Sequence, residues 1–191
     1  FQLYPVSHLF SHSAPARAGT AALKSAGLIH FSQRQPLTQQ QETTVYRLVH
    51  GEGDGLPGLI IDYYNGTAVI QAHHIGIHLQ VQAIAAALRA VYGSQLKGVY
   101  DKSGETLPKS ETVPSNEWIW GKAETNLVKE YGAGYKIDWE KGQKTGFFID
   151  QRENRKLVAS YARGKKVLNT FCYSGGFSVL ALQEGATEVH S

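Results

Sequence analysis

Val167-Leu168-Asn169-Thr170-Phe171-Cys172-Tyr173-Ser174-Gly175-Gly176-Phe177-Ser178 is the most informative stretch of the chain. Lys166 to Cys172 reads as a buried strand, Ser174-Gly175-Gly176 as a tight turn, and Phe177 to Glu184 as a helix with Val179, Leu180 and Leu182 available for packing. Gly185 is placed to end that helix and Thr187 to His190 starts a further strand, so the sequence closes on an opening βαβ unit. A strand that passes over glycine into a helix lets a ligand approach bare backbone, and the unpaired N–H groups of the helix start favour acceptor groups there. Nucleotide-like ligands fit such a turn. The spacing departs from G-x-G-x-x-G, and the Lys-Ser/Thr pair of a P-loop is absent after the second glycine. A pyrophosphate is therefore a poorer match than a ligand whose carboxylate, amine and ribose are read by the loop. Taken bare, the same turn also suits a purely structural passage from strand to helix. In dinucleotide-type units an acid that holds the ribose hydroxyls follows the turn by about 20 residues. Counting from Gly175 passes Ser191, so that acid is expected outside this sequence.

Working back from the turn, Gly142 to Gly146 reads as a loop and Phe147 to Ile149 as a short extended piece. Asp150 with Glu153 has the form of a capping box opening a helix from Gln151 to about Tyr161, with Gly164 where it stops. Further back, Val45 to Val49 and Leu59 to Asp62 read as strands around the loop Gly51-Glu52-Gly53-Asp54-Gly55-Leu56-Pro57-Gly58, whose four glycines and one proline defeat helix and ladder alike. Asn65-Gly66 closes a type I′ hairpin onto Thr67 to Ala72. Ile77, Val81, Ile84, Ala85, Leu88, Val91 and Tyr92 recur at helical spacing ahead of Gly93. Strands are expected at Gly98 to Tyr100, Asn126 to Tyr131 and Tyr135 to Trp139, the last two joined by Gly132-Ala133-Gly134. Residues 1–44 show neither period. They read as an arm or linker with a short helix over Ala21 to Ile29 and a polar run from Gln33 to Thr44.

The 191 residues suffice for one domain or two small ones, and 42% hydrophobic residues supply a core. Charged residues make up only 18% while glycines number 20, which suits a loop-rich α/β or α+β protein and excludes a coiled coil. No run approaches the roughly 18 to 20 apolar residues of a membrane-spanning helix. The single Cys excludes an internal disulfide framework and a multi-cysteine zinc site, which points to a reducing, cytoplasmic compartment. A net charge of +3 permits an anionic partner. The chain opens on Phe1, contains no Met and has no signal-peptide pattern, as expected for part of a longer gene product.

Two long motifs make the sequence recognisable. Gly142-Gln143-Lys144-Thr145-Gly146-Phe147-Phe148-Ile149-Asp150-Gln151-Arg152-Glu153-Asn154-Arg155, and then Leu168 to Ser178, together resemble the RlmI-like family of S-adenosylmethionine-dependent methyltransferases, which form 5-methylcytosine in large-subunit ribosomal RNA. Tyr46-Arg47-Leu48-Val49, Gly53-Asp54-Gly55-Leu56-Pro57-Gly58 and Asp62 are similar to the central domain of that family, so the resemblance spans about Val45 to Ser191. It implies an α/β chain: residues 1–44 an arm or remnant of a PUA-type RNA-binding module, 45–140 a central α+β domain, and 141–191 the beginning of a Rossmann-like methyltransferase domain. It further implies S-adenosylmethionine as cofactor, ribosomal RNA as partner, RNA processing in the cytoplasm away from any membrane, and it admits a homodimer. The cysteine that attacks the cytosine ring and the Asp-Pro-Pro type motif are expected beyond Ser191. This chain is thus expected to hold part of a cofactor pocket, to bind cofactor weakly or not at all by itself, and to contain no catalytic residue. A non-catalytic RNA-binding or ribosome-assembly module is the competing reading, in which the glycine turn is scaffold.

Within that resemblance Tyr173, Ser174, Gly175 and Gly176 are the foremost cofactor contacts, with Asn169 and Phe171 at the strand end offering backbone carbonyls or serving as core. Lys144, Phe147, Phe148, Asp150 and Arg152 correspond to the segment that folds over the cofactor in the family. The aromatic pair would wall the ligand and the two charges would meet its amino-acid end, while Asp150 equally suits a helix N-cap. Cys172 reads as a small buried hydrophobe rather than a nucleophile, since no base is near it in sequence. His73, His74 and His78 lack the further ligands of a zinc site. Arg155, Lys156, Arg163, Lys165 and Lys166 form the densest basic stretch, suited to RNA phosphates or to an ordinary solvated face.

Overall fold

The structure is a computed structural model that describes Arg34 and residues 42–107, 116–123 and 125–191. The helix expected over Ala21 to Ile29 lies outside the described residues. Three antiparallel strands, β1 (Val45–His50), β2 (Leu59–Tyr64) and β3 (Thr67–Ala72), follow one another through the loop and hairpin that the sequence marks. Asn65 and Gly66 take φ of 44° and 103°, the left-handed pair that a type I′ turn requires. The chain then crosses over through α1 (Ile75–His78) and α2 (Val81–Tyr92) to β4 (Gly98–Asp101), parallel to β3, and β5 (Glu117–Gly121) closes the sheet antiparallel to β4. Ile77 thus sits on a separate turn, because the helical path breaks at Leu79 and Gln80. β5 is absent from the pattern reading, although Trp118, Ile119 and Trp120 are good strand formers.

Both faces of this sheet are buried, which follows from strands that are apolar at nearly every position. Leu48, Ile61, Ile70 and Val99 meet Val81, Ile84, Ala85 and Leu88 of α2 on one face. Val45, Tyr64, Val69 and Tyr100 project from the other and pack against Val128, Tyr135, Trp139, Phe147, Ala159 and Leu180. Those partners come from the hairpin β6 (Leu127–Glu130) and β7 (Ala133–Lys136), the loop beyond it, α3 (Arg152–Ser160) and α4 (Gly176–Gln183). The hairpin turn is Tyr131-Gly132, with φ of 50° and 78°, in place of the expected Gly132-Ala133-Gly134; Ala133 and Gly134 pair within β7. Residues 42–44 are tied to this hairpin, since the Thr44 N–H donates to the Lys129 carbonyl at 2.9 Å and Gly132 N–H to that of Glu42 at 2.9 Å.

Beyond the hairpin, β8 (Lys166–Leu168), α4 and β9 (Glu188–His190) form the expected parallel βαβ arrangement. The buried strand expected over Lys166 to Cys172 is corrected: β8 ends at Leu168, which is 74% exposed, and Phe171 is fully exposed. The chain leaves the ladder there because Phe171 and Tyr173 take left-handed backbone that a strand does not accommodate. The capping box is also corrected. Ile149–Gln151 form a 3₁₀ turn into α3, no side chain caps that helix, and Asp150 turns instead to Lys144. The α/β class is as expected.

Candidate functional site

Residues 169–175 carry the chain from β8 into α4. Phe171, Tyr173 and Gly175 take φ of 59°, 49° and 75°, so two side-chain-bearing residues are held in left-handed backbone beside the glycine. The Gly175 N–H closes the turn on the Cys172 carbonyl at 2.8 Å, and no side chain caps α4. The first-turn N–H groups of α4 are thereby left for other acceptors, with the positive end of the helix dipole behind them. A Cβ at Gly175 would meet nothing within 4 Å, whereas one at Gly176 would stand 3.0 Å from Cδ of Arg155. Gly175 is thus required by conformation and Gly176 by the close approach of α4 to α3.

A cleft of about 550 Å³ opens at this turn. Its walls are Phe171, Cys172, Tyr173, Ser174, Gly176 and Phe177 on one side and Gln143, Phe148, Gln151 and Arg155 on the other. Tyr173 joins the walls: its hydroxyl accepts the Gln143 N–H at 2.8 Å and its ring meets Phe148 edge-on at 5.1 Å. Cleft size, aromatic walls and open backbone donors suit a nucleoside bearing an amino-acid tail.

Three buried charges from the sheet and hairpin hold the second wall. Glu130, fully buried on β6, accepts from Arg155 Nε and Nη2 at 2.7 and 2.8 Å and from Arg152 Nε at 3.2 Å. Arg152 Nη2 donates to the Val45 carbonyl, while Arg155 also donates to Phe148 O at 2.9 Å and lies over the Phe147 ring at 4.4 Å. Asp62, fully buried on β2, is paired with Arg47 at 2.8 Å and accepts from the Thr145 hydroxyl at 2.5 Å. Thr145 in turn meets the Tyr64 hydroxyl at 2.6 Å, and burial raises the Tyr64 phenol well above its ordinary pKa. Lys102, buried at the end of β4, donates to the Gly142 carbonyl, and burial lowers its pKa. Opposite charges from β2 and from the end of β4, strands separated by β3, therefore grip both ends of the Gly142–Thr145 loop. A buried charge with its hydrogen bonds satisfied fixes geometry more than it adds stability.

Of the expected cofactor contacts, Phe148, Phe171, Tyr173, Ser174 and Gly176 line the cleft, and Gly175 forms its turn. Phe147 lies in the core, its ring 5.0 Å from Tyr135. Asn169 donates to the Ser178 hydroxyl at 2.7 Å. Lys144 pairs with Asp150 at 3.1 Å and lies over Phe148 at 4.4 Å, so both charges sit at the rim. Burial acts to raise the Asp150 pKa, but the Lys144 ammonium outweighs it and holds the carboxyl below the ordinary aspartate value. Arg152 is turned away from the cleft onto Glu130. Arg155 is buried, so it leaves the basic face and joins the cleft wall. Among the other basic residues, Lys156 lies over Tyr131 at 4.7 Å, Lys166 pairs with Glu188 at 2.6 Å, and Arg163 and Lys165 are exposed.

Gln143, Gln151, Phe177 and Cys172 are wall residues that sequence reasoning did not select as ligand contacts. Cys172 is half-buried at the cleft rather than in a core, and no histidine or carboxylate joins it among the lining residues. The one local clue to Arg155 is its three-residue spacing from Arg152 on the face that also buries Ala159. Of the histidines, His78 approaches Asp101 at 3.2 Å, and no group of three metal-binding side chains occurs among the described residues. Among the described residues no helix is long and apolar enough to cross a membrane.

Residues 46–191 match a family model described as S-adenosylmethionine-dependent methyltransferase. The chain is 43% identical over 160 residues to ribosomal RNA large subunit methyltransferase I of Aeromonas hydrophila, a match covering 82% of this chain and 40% of that protein. It therefore spans well under half the length of that relative. Its fold superposes on a methyltransferase from Streptococcus mutans with a TM-score of 0.76 and 28% identity, over 89% of this chain and 44% of the other. It superposes equally well, with a TM-score of 0.76 and 28% identity over 89% and 43% of the two chains, on SMU.776, a methyltransferase complexed with SAH.

Proposed function

From the premise that this chain belongs to the S-adenosylmethionine-dependent methyltransferase family, we propose that its cleft binds S-adenosylmethionine and that the protein methylates large-subunit ribosomal RNA at cytosine C5. The observation that carries the reading is the uncapped start of α4 beyond the left-handed Gly175, opening on a cleft of about 550 Å³. The fit rests on the residues present. The unbonded N–H groups of the α4 first turn suit the acceptors of a nucleoside or carboxylate, the aromatic walls Phe148, Phe171 and Phe177 suit an adenine face, and the Lys144–Asp150 pair at the rim suits a zwitterion. When bound, the cofactor supplies an electrophilic methyl group on its sulfonium.

The residues of this chain bind and orient. The Tyr173 hydroxyl and Lys102 hold the Gln143 side of the cleft in place, and Arg155, anchored by Glu130, fixes α3 against α4. Among the described residues that line the cleft there is no histidine, aspartate or glutamate, the commonest general bases. Cytosine specificity and an RNA partner follow from the family resemblance, as do cytoplasmic RNA processing and the admitted homodimer. In the same proposal a central α+β unit over 45–140 presents its buried charges to a cofactor-binding unit beginning at 141.

Isothermal titration of the full-length protein with S-adenosylmethionine, paired with Gly175→Val, tests this. A β-branched side chain cannot hold φ of 75° without strain, so the substitution is expected to abolish binding while circular dichroism stays unchanged. No binding by the unsubstituted protein would favour the module reading, in which this turn is scaffold, and undiminished binding by a folded Gly175→Val protein would place the cofactor away from this turn.

A further inference from the structure

A second groove, of about 460 Å³, lies between edge strand β5 and the segment that leaves β7. We propose that this groove binds single-stranded RNA, holding nucleotides that flank the base presented to the cofactor cleft; the inference rests on the methyltransferase reading and adds the place where the substrate strand is held.

The chemistry of the lining argues for a nucleic-acid strand. Half-buried Trp118 forms one wall, set edge-on to Trp139 at 6.1 Å and against Tyr100 at 5.2 Å, which holds the indole rigid. Lys122, Lys136 and Lys141 surround it with exposed ammonium groups, and among the described residues none of the three forms an ion pair. Lys122 stands 5.8 Å from the Trp118 ring centre. Two acids also line the groove, but both are engaged by the protein's own donors. The Asp138 carboxylate accepts the Glu140 and Lys141 N–H groups at 3.1 and 2.9 Å, and Glu140 accepts the Trp118 indole N–H at 3.4 Å. What remains for a ligand is an aromatic surface beside three lysines free of ion pairs, which outnumber the two hydrogen-bonded carboxylates of the lining; aromatic surface and excess positive charge together suit a strand that stacks a base while its phosphates meet cations. An acidic peptide would use the cations but would leave the indole without a stacking partner.

Position supports the same occupant. Asp138 to Lys141 form the wall of the groove, and two residues further on Gln143 lines the cofactor cleft, where its N–H meets Tyr173. The two openings are therefore separated by a single turn closed by the Gly142 N–H on the Asp138 carbonyl at 2.8 Å. This surface is distinct from the basic stretch around Arg163 and Lys165.

The test is tryptophan-fluorescence titration with a mixed-sequence single-stranded oligoribonucleotide over a range of salt, with S-adenosylhomocysteine titrated in parallel. Replacing Lys122, Lys136 and Lys141 together by glutamine is expected to weaken RNA binding at least tenfold and to lower the log–log salt slope by about 2, at roughly 0.7 for each phosphate that is no longer neutralised. All three side chains are exposed, so the fold is expected to persist and S-adenosylhomocysteine affinity to stay unchanged. Trp118→Leu is expected to remove most of the quenching. RNA affinity and salt slope unaltered in the triple variant would overturn the proposal while leaving the cofactor reading intact, and so would equal competition by polyglutamate. Loss of nucleoside binding alone, with RNA binding retained in the unsubstituted protein, would instead overturn the methyltransferase reading.

Discussion

Replacing Glu130 by glutamine removes one negative charge from beneath two guanidinium groups. In the folded protein the Glu130 carboxylate is fully buried and takes three hydrogen bonds, two from Arg155 and one from Arg152, both of which are themselves buried. The amide keeps the shape but has a single acceptor oxygen, and its NH₂ group faces a cation. Both guanidinium groups are left without a counter-charge, and at least one donor without an acceptor. Breaking a buried ion pair from one side costs about 3–5 kcal/mol, a large share of the roughly 5–15 kcal/mol that stabilises an ordinary domain. Urea unfolding followed by circular dichroism gives the difference directly. The control is the apolar set Glu130→Leu, Arg152→Met and Arg155→Met, expected to recover most of the loss because all the charges leave together. A loss below about 1 kcal/mol for Glu130→Gln, the size typical of an exposed pair, would refute the argument that this triad clamps α3 to the hairpin.

Thr145→Val keeps the volume and deletes the hydroxyl between Asp62 and Tyr64. A loss of about 1–3 kcal/mol is expected, with faster amide exchange at Gly146; unchanged exchange would show that the loop is held elsewhere. Lys144→Met is expected to raise the Asp150 pKa toward the ordinary aspartate value, read by carboxyl NMR, because the ammonium is what lowers it. With Lys144 in place the folded pKa is depressed, so the pair's contribution is present above the unfolded value and fades as pH falls through the folded one; both groups are over a third exposed, so the stability effect is small. At alkaline pH, Tyr46, Tyr64 and Tyr92 are raised by burial, and Tyr131 and Tyr135 are pushed up to about 12. The unfolded chain then releases phenolic protons that the folded chain keeps, so stability falls above about pH 10. Ultraviolet titration should show these tyrosines ionising together with unfolding; smooth ionisation near the free phenol value in the folded state would contradict the packing described.

Local pattern accounts for much of this protein and fails at identifiable places. The Asn65-Gly66 hairpin, the crossover helix and the glycine turn were legible because each is set by residues adjacent in sequence. The Tyr131-Gly132 turn was not, since a tyrosine at φ of 50° carries no turn signature. β5 follows 108–115, outside the described residues, and owes its place to pairing with β4. At the site, Phe148 and residues 171–176 could be read from motif and resemblance. The inward turn of Arg152 and Arg155 could not, because Glu130 lies 22 and 25 residues away and nothing local to the helix marks it as their partner. Asp62 was visible only as part of a motif; its role as anchor for Thr145 needed the fold, which joins residues 83 apart.

A crystal structure of the protein grown with S-adenosylhomocysteine bears most directly on the account. The nucleoside is expected against the first turn of α4 at Ser174 to Gly176, between Phe148 and Phe177. Ligand density at another site, with side chains packed into that bend, would contradict it.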